Sequence, residues 1–130
     1  TAEQGKQGWY PVENLVVEES SFDHVGMIAD LLRRGTDEST FGPYFVLDRS
    51  AVVSTGADTG ASVRLSGVQW ATIRDTRFSG SGPIEVTHSV GTPWTVISGN
   101  RFERTPAPVI RELTYRGPER AVITRNEFGS

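Results

Sequence analysis

The sequence predicts an all-β fold, a right-handed parallel β-helix: a single-stranded solenoid of about five coils. Three observations predict it. A short apolar strand is followed, five residues after its last inward position, by a bulky apolar residue that is Phe in four of five cases. The closing residues stand at 22, 52, 78, 102 and 128, with spacings of 30, 26, 24 and 26. A second short strand follows most of them. A unit this short cannot bury its own apolar face, so the period demands stacking on its neighbours. Right-handed winding follows from the general preference of parallel crossovers.

Residues 1–10 read as an N-terminal lead-in or tail, since the first eight have almost no apolar content and two glycines. Residues 11–130 read as the β-helix domain. Its units are Leu15-Val16-Val17 with Phe22, Phe45-Val46-Leu47 with Val52, Ala71-Thr72-Ile73 with Phe78, Thr95-Val96-Ile97 with Phe102, and Ala121-Val122-Ile123 with Phe128. Alternation turns two residues of each strand inward. Val25, Ile28, Ala29 and Leu32 would fit a helical stripe, but Gly26 interrupts it where a coil is due, so a short strand at 28–32 is expected. The second strands are Ala29-Asp30-Leu31, Val63-Arg64-Leu65, Ile84-Glu85-Val86 and, more loosely, Val109-Ile110-Arg111. Two strands per coil plus a less regular third side are expected, with coils about 4.8 Å apart.

Aligning the units gives columns. Two residues before the closing residues stand Ser20, Ser50, Thr76, Asn100 and Asn126, short polar groups suited to bonding along the stack. One residue earlier stand Glu19, Arg49, Asp75, Gly99 and Arg125, which would set Arg49 between two acids.

At 130 residues the chain suits one domain that buries roughly 65–70% of its unfolded surface. Thirteen basic and sixteen acidic residues give a charge of −3, and Lys6 is the only lysine, so no basic tract points to nucleic acid. Polyanion binding would need a local arginine cluster. Cysteine is absent, which excludes disulfides and thiolate metal sites. No apolar run approaches the roughly 20 residues of a membrane span, and a soluble chain without membrane partners is expected. A chain that starts at Thr1 and ends directly after its last unit reads as a processed product or a fragment.

Few constellations suggest chemistry. Asp58-Thr59-Gly60-Ala61 matches the aspartic-protease tetrad, but turn residues precede it rather than an apolar strand, so it reads as chance. His24 and His88 lie beside no nucleophile pattern and read as exposed or hydrogen-bonded structural residues. Asp37-Glu38, in the loop 35–43, has no EF-hand spacing and reads as turn capping, so no metal ligand is assigned. Tyr44, Trp70 and Trp94 fall at one position of three successive units, where the first and last carry Asn14 and Arg120. Such a column can stack against sugar rings while Arg64 and Arg74 pair with carboxylates, or it can cover the core edge. These five residues are the candidate substrate-binding set.

Two segments resemble a known family: Gly8-Trp9-Tyr10-Pro11-Val12-Glu13-Asn14, and Arg33-Arg34-Gly35-Thr36-Asp37-Glu38-Ser39-Thr40-Phe41-Gly42-Pro43. Together with Gly67-Val68-Gln69-Trp70-Ala71 and the turns Asn100-Arg101-Phe102 and Asn126-Glu127-Phe128, they are similar to polysaccharide lyase family 6 alginate lyases, relatives of chondroitinase B. Members carry Tyr-Arg-Gly-Gly before the Thr-Asp-Glu-Ser loop, where this chain has Leu32-Arg33-Arg34-Gly35. The likeness spans most of residues 8–130 and falls on the C-terminal β-helix of two-part members.

For a whole family member the resemblance implies β-elimination. A base removes the C5 proton of a uronate while calcium or cationic side chains neutralise its carboxylate. The family's base is a lysine, partnered by an arginine, in the upstream β-helix. Lys6 lies ahead of the matching segment, so no catalytic residue and no cofactor is assigned here, calcium being left to the parent enzyme. The resemblance thus implies a secreted or periplasmic C-terminal domain partnered by an upstream catalytic β-helix and by alginate, and inactive alone. A non-catalytic module for anionic polysaccharide and a purely structural β-helix segment are the alternatives.

Overall fold

In the computed structural model, residues 14–32, 44–56, 58–88, 94–112 and 121–129 are described. Fourteen short strands follow one another: β1 Asn14–Glu18, β2 Ser21–Asp23, β3 Ala29–Leu32, β4 Tyr44–Asp48, β5 Ala51–Val53, β6 Val63–Ser66, β7 Trp70–Arg74, β8 Arg77–Ser79, β9 Ile84–His88, β10 Trp94–Ser98, β11 Arg101–Glu103, β12 Val109–Glu112, β13 Ala121–Thr124 and β14 Glu127–Gly129. Each pairs in parallel with the strand one coil away. Three sheets result, ordered β1-β4-β7-β10-β13, β2-β5-β8-β11-β14 and β3-β6-β9-β12. The chain is a parallel β-helix.

The expected units pair in the expected register, Val46 on Thr72 and Phe78 on Phe102. Two expectations need correction. The closing residue is not a lone plug but the centre of a three-residue strand, so there are three regular sides rather than two. A single inward side chain flanked by two outward ones is too short to show alternation in sequence. In the third sheet, Ile110 pairs with Val86 and Val109 with Glu85, so the last unit is Pro108-Val109-Ile110. Pro108 cannot donate to the ladder, and the strand proper starts one residue after it.

Inward residues of all three sheets make one core: Phe45, Leu47, Val52, Val63, Leu65, Ala71, Ile73, Phe78, Ile84, Ile97 and Phe102 are fully buried. Phe78, Phe102 and Phe128 stack ring on ring, with centroids 5.0 and 5.1 Å apart. Offset aromatic stacking at the strand spacing adds about 0.5–1.5 kcal/mol per pair beyond burial.

Corners between the first and second sheets carry the expected polar column, and it bonds along the stack. The Ser20 N–H donates to Ser50 Oγ, the Ser50 N–H to Thr76 Oγ1, the Thr76 N–H to Asn100 Oδ1 and the Asn100 N–H to Asn126 Oδ1, at 2.9–3.3 Å. Asn100 Nδ2 also donates to Asn126 Oδ1 and to the Ile73 carbonyl. A second ladder, not anticipated, lies three residues past the closing position: Val25, Thr55 and Ser81 donate to the hydroxyls of Thr55, Ser81 and Thr105.

Both corners turn through left-handed backbone. Glu19, Arg49, Asp75, Gly99 and Arg125 have φ of 50–72°. His24, Ser54, Gly80 and Arg104 form the equivalent column at the next corner, with φ of 47–61°. A left-handed non-glycine residue costs about 1–2 kcal/mol, and what offsets it is a backbone bond to the neighbouring coil. Glu19, Arg49, Asp75 and Gly99 donate to the carbonyls of Asp48, Arg74, Ser98 and Thr124, at 3.0–3.2 Å.

Candidate functional site

The outward face of the first sheet is the strongest candidate surface. β4, β7 and β10 place Tyr44, Trp70 and Trp94 side by side in one register row. Trp70 is 48% exposed, Tyr44 37% exposed and Trp94 half-buried. The two indoles stack at 6.5 Å with planes 28° apart. Beside them runs a second row, Val16, Val46, Thr72, Val96 and Val122, β-branched and at least partly exposed throughout. These two rows form an exposed, largely apolar strip with aromatic rings along one side, the kind of surface on which sugar rings stack.

A third row on this face holds Glu18, Asp48, Arg74, Ser98 and Thr124. The Asp48 side chain is almost wholly buried between two arginines. Arg49 Nε donates to its Oδ2 at 3.1 Å, Arg74 Nη2 donates to Oδ2 at 3.4 Å, and Arg74 Nε lies 3.2 Å from Oδ1. The last contact is an ion pair without hydrogen-bond alignment, so Oδ1 accepts no hydrogen bond. Arg49 also reaches Glu19 at 3.4 Å. The acids around Arg49 are thus Glu18 at 3.9 Å, Glu19 and the adjacent Asp48, rather than Glu19 and Asp75.

Of the five candidate residues, four share this face. Arg64 does not: it lies on β6 of the third sheet, where Nε donates to Glu85 Oε1 at 3.0 Å and Nη2 to the Thr59 carbonyl. Arg64 and Arg74 both have an acid partner within the chain, which lowers the charge either offers a carboxylate ligand.

An arginine cluster that sequence spacing did not reveal sits on the outer face of the second sheet. Arg77 and Arg101 converge on Glu103, Arg101 continues to Glu127 at 2.7 Å, and Arg104 Nη2 donates to Ser79 Oγ at 2.8 Å. The Arg101 hydrogen bond, then that of Arg77, holds the Glu103 carboxyl below its ordinary value, and Glu103 in turn raises Arg101. Aligning residues 77, 101 and 127 as a column, one before the closing position, would have exposed this row.

His88 is buried with Nε2 2.9 Å from Thr95 Oγ1, and His24 is exposed beside Asp23. Both fit the structural roles expected. Asp58 and Thr59 sit in an exposed turn where Thr59 Oγ1 donates to the carbonyls of Gly26 and Ala61. Among the described residues no three His, Asp or Glu side chains cluster as metal ligands, and no helix is long and apolar enough to cross a membrane. Lys6, the loop 35–43 and the segment 8–13 lie outside the described residues.

Fold and face together define a three-sided parallel β-helix carrying an exposed aromatic row. Comparison with solved structures places it more narrowly: it superposes on a mutant of the PL6 family alginate lyase AlyGC with a TM-score of 0.83 and 35% sequence identity. The match covers 97% of this chain and 18% of that one. No protein-family model matches the sequence, and neither does any curated protein. The chain is a β-helical relative of the PL6 alginate lyases.

Proposed function

We propose that this chain is the non-catalytic C-terminal β-helix of an alginate lyase-like enzyme, acting as scaffold or as an extension of the substrate surface. The observation that carries this reading is the AlyGC match, which takes in nearly all of this chain at 35% identity but a small part of the lyase. In this reading β-elimination of a uronate polysaccharide is performed by an upstream β-helix of the same protein, which is secreted or periplasmic. Any calcium that neutralises the uronate belongs to that upstream part. Absorbance of the unsaturated product on incubation with alginate tests the division of labour. No turnover is expected from this chain, and robust turnover would refute the reading.

The exposed aromatic row favours a second reading, a module that grips the polysaccharide by stacking on Tyr44, Trp70 and Trp94. Titration with alginate oligomers, followed by tryptophan fluorescence, would show saturable binding lost in Trp70→Ala. Because Arg74 is held by Asp48, this binding should depend only weakly on salt. Absence of binding at about millimolar oligomer, the weak limit of a useful site, would dispose of it.

A further inference from the structure

We propose that the outer face of the second sheet binds the carboxylates of a linear uronate polysaccharide through Arg77, Arg101 and Arg104. This rests on the reading of the chain as an extension of the substrate surface, and it adds a charged face to the aromatic one. Register builds the cluster. Arg77 and Arg101 stand side by side on β8 and β11, with Ser79 and Glu103 side by side two residues further on. Arg104, at the left-handed corner just past β11, turns back across the coil boundary and donates from Nη2 to Oγ of the buried Ser79. In the first two coils the same rows hold Ser21, Asp23, Ala51 and Val53, so the arginines are not a by-product of the repeat.

Three guanidiniums gather around one carboxylate. Arg77 donates from Nε and Nη2 to Glu103 Oε1, and Arg101 donates from Nε to Glu103 Oε2. Arg101 Nη1 also donates to Glu127, but that side chain is 72% exposed and such a pair holds its cation weakly. Arg104 has no acid partner among the described residues. A guanidinium carries five N–H donors. Arg77 Nη1, Arg101 Nη2 and Arg104 Nη1 find no acceptor among the described residues. Glu103, itself 19% exposed, thus holds two arginines in place while about half of each side chain stays in solvent. Guanidiniums already ordered lose less freedom on receiving a second carboxylate, which favours binding.

The layout suits a polymer rather than a compact anion. Arg77 and Arg101 follow each other along the stack at the strand spacing of about 4.8 Å, and Arg104 lies across the face at the far edge of β11. A uronate polymer carries one carboxylate on every sugar, so a single chain crossing this face engages more than one guanidinium. Linked contacts of this kind raise affinity through effective concentration.

Calorimetric titration of the chain with alginate oligomers, at low and high salt, tests this without relying on the indoles. Salt-sensitive binding is expected, weakened about fivefold by Arg104→Gln and by a similar factor in Arg101→Gln. Both arginines are exposed, so neither substitution threatens the core. Glu103→Gln removes the competing carboxylate and should tighten binding about twofold to fivefold. Trp70→Ala should leave the salt-sensitive part in place. Unchanged affinity in both arginine variants, or equally tight binding of polyglutamate, would overturn the proposal. Binding lost in Trp70→Ala but kept in the arginine variants would overturn it and leave the substrate-surface reading standing, whereas no binding of alginate at all would overturn both.

Discussion

Phe102→Ala and Phe128→Ala remove the same side chain from adjacent coils, and the structure assigns them very different costs. Phe102 is fully buried, and both ring faces are covered, by Phe78 at 5.0 Å and Phe128 at 5.1 Å. Truncating a buried Phe costs about 3–5 kcal/mol, and two stacked pairs at about 0.5–1.5 each put this site at the upper end. Phe128 has one stacked face and exposes more than half its surface, so roughly 1–2 kcal/mol is expected. The gap of about 3 kcal/mol corresponds to about 12 °C in Tm for a chain of this size. Urea denaturation followed by circular dichroism measures both variants, with the slope of the transition checking that unfolding stays cooperative. Phe102→Leu, which keeps most of the volume, should recover most of the loss. Equal costs for the two alanine variants, or less than about 2 kcal/mol for Phe102→Ala, would refute the stacked-core account.

Asn100→Ala strips the acceptor from the buried Thr76 N–H and the donor from the Ile73 carbonyl, and should cost about 2–4 kcal/mol by denaturation. Asn100→Thr, which restores an acceptor as other coils do, should lose about half of that. Gly56→Ala places a Cβ 2.2 Å from the Ala61 carbonyl oxygen at φ +81°, so a loss above about 3 kcal/mol is expected. Gly60→Ala, at φ +91° where the Cβ meets only Arg64 Nη2 at an uncrowded 3.7 Å, should cost only about 1–2 kcal/mol, and comparable losses would show the crowding to be relieved. Glu103 has a lowered folded pKa, so its contribution is present above the ordinary value of 4.5 and is lost as pH falls through the lower folded value. Glu103→Gln should therefore flatten the acid limb of a Tm-versus-pH curve, and an unchanged limb would count against the Arg77–Glu103–Arg101 cluster.

The helix was legible because one corner keeps count. Five residues always separate the last inward residue of the first sheet from the closing residue, so the columns of Ser20 and Phe22 could be written from spacing alone. The second ladder, through Thr55, Ser81 and Thr105, obeys the same spacing, but Val25 breaks the polar pattern at its first member. Left-handed corners left no mark because Glu, Arg and Asp occupy most of them, and only interchain-like bonds between coils hold that backbone. The aromatic row was visible as a register position. The pairing of Arg74 with Asp48 follows from the same register, since both stand one residue after the last inward position of their strands, 26 residues apart.

The constant corner also divides labour around the circumference. Bonds along the corner column span 30, 26, 24 and 26 residues, yet the five-residue step from the first sheet into the second never changes. All variation in coil length falls on the two remaining corners, for example in the turn from Ser54 to Ser62, which is longer than its counterpart from Gly80 to Pro83. Those two edges can gain or lose loops while the hydroxyl-amide spine holds the pitch. The solenoid is in this sense a ruled page: its margin is fixed, and new binding or catalytic loops can be written into the other two sides without disturbing the lines.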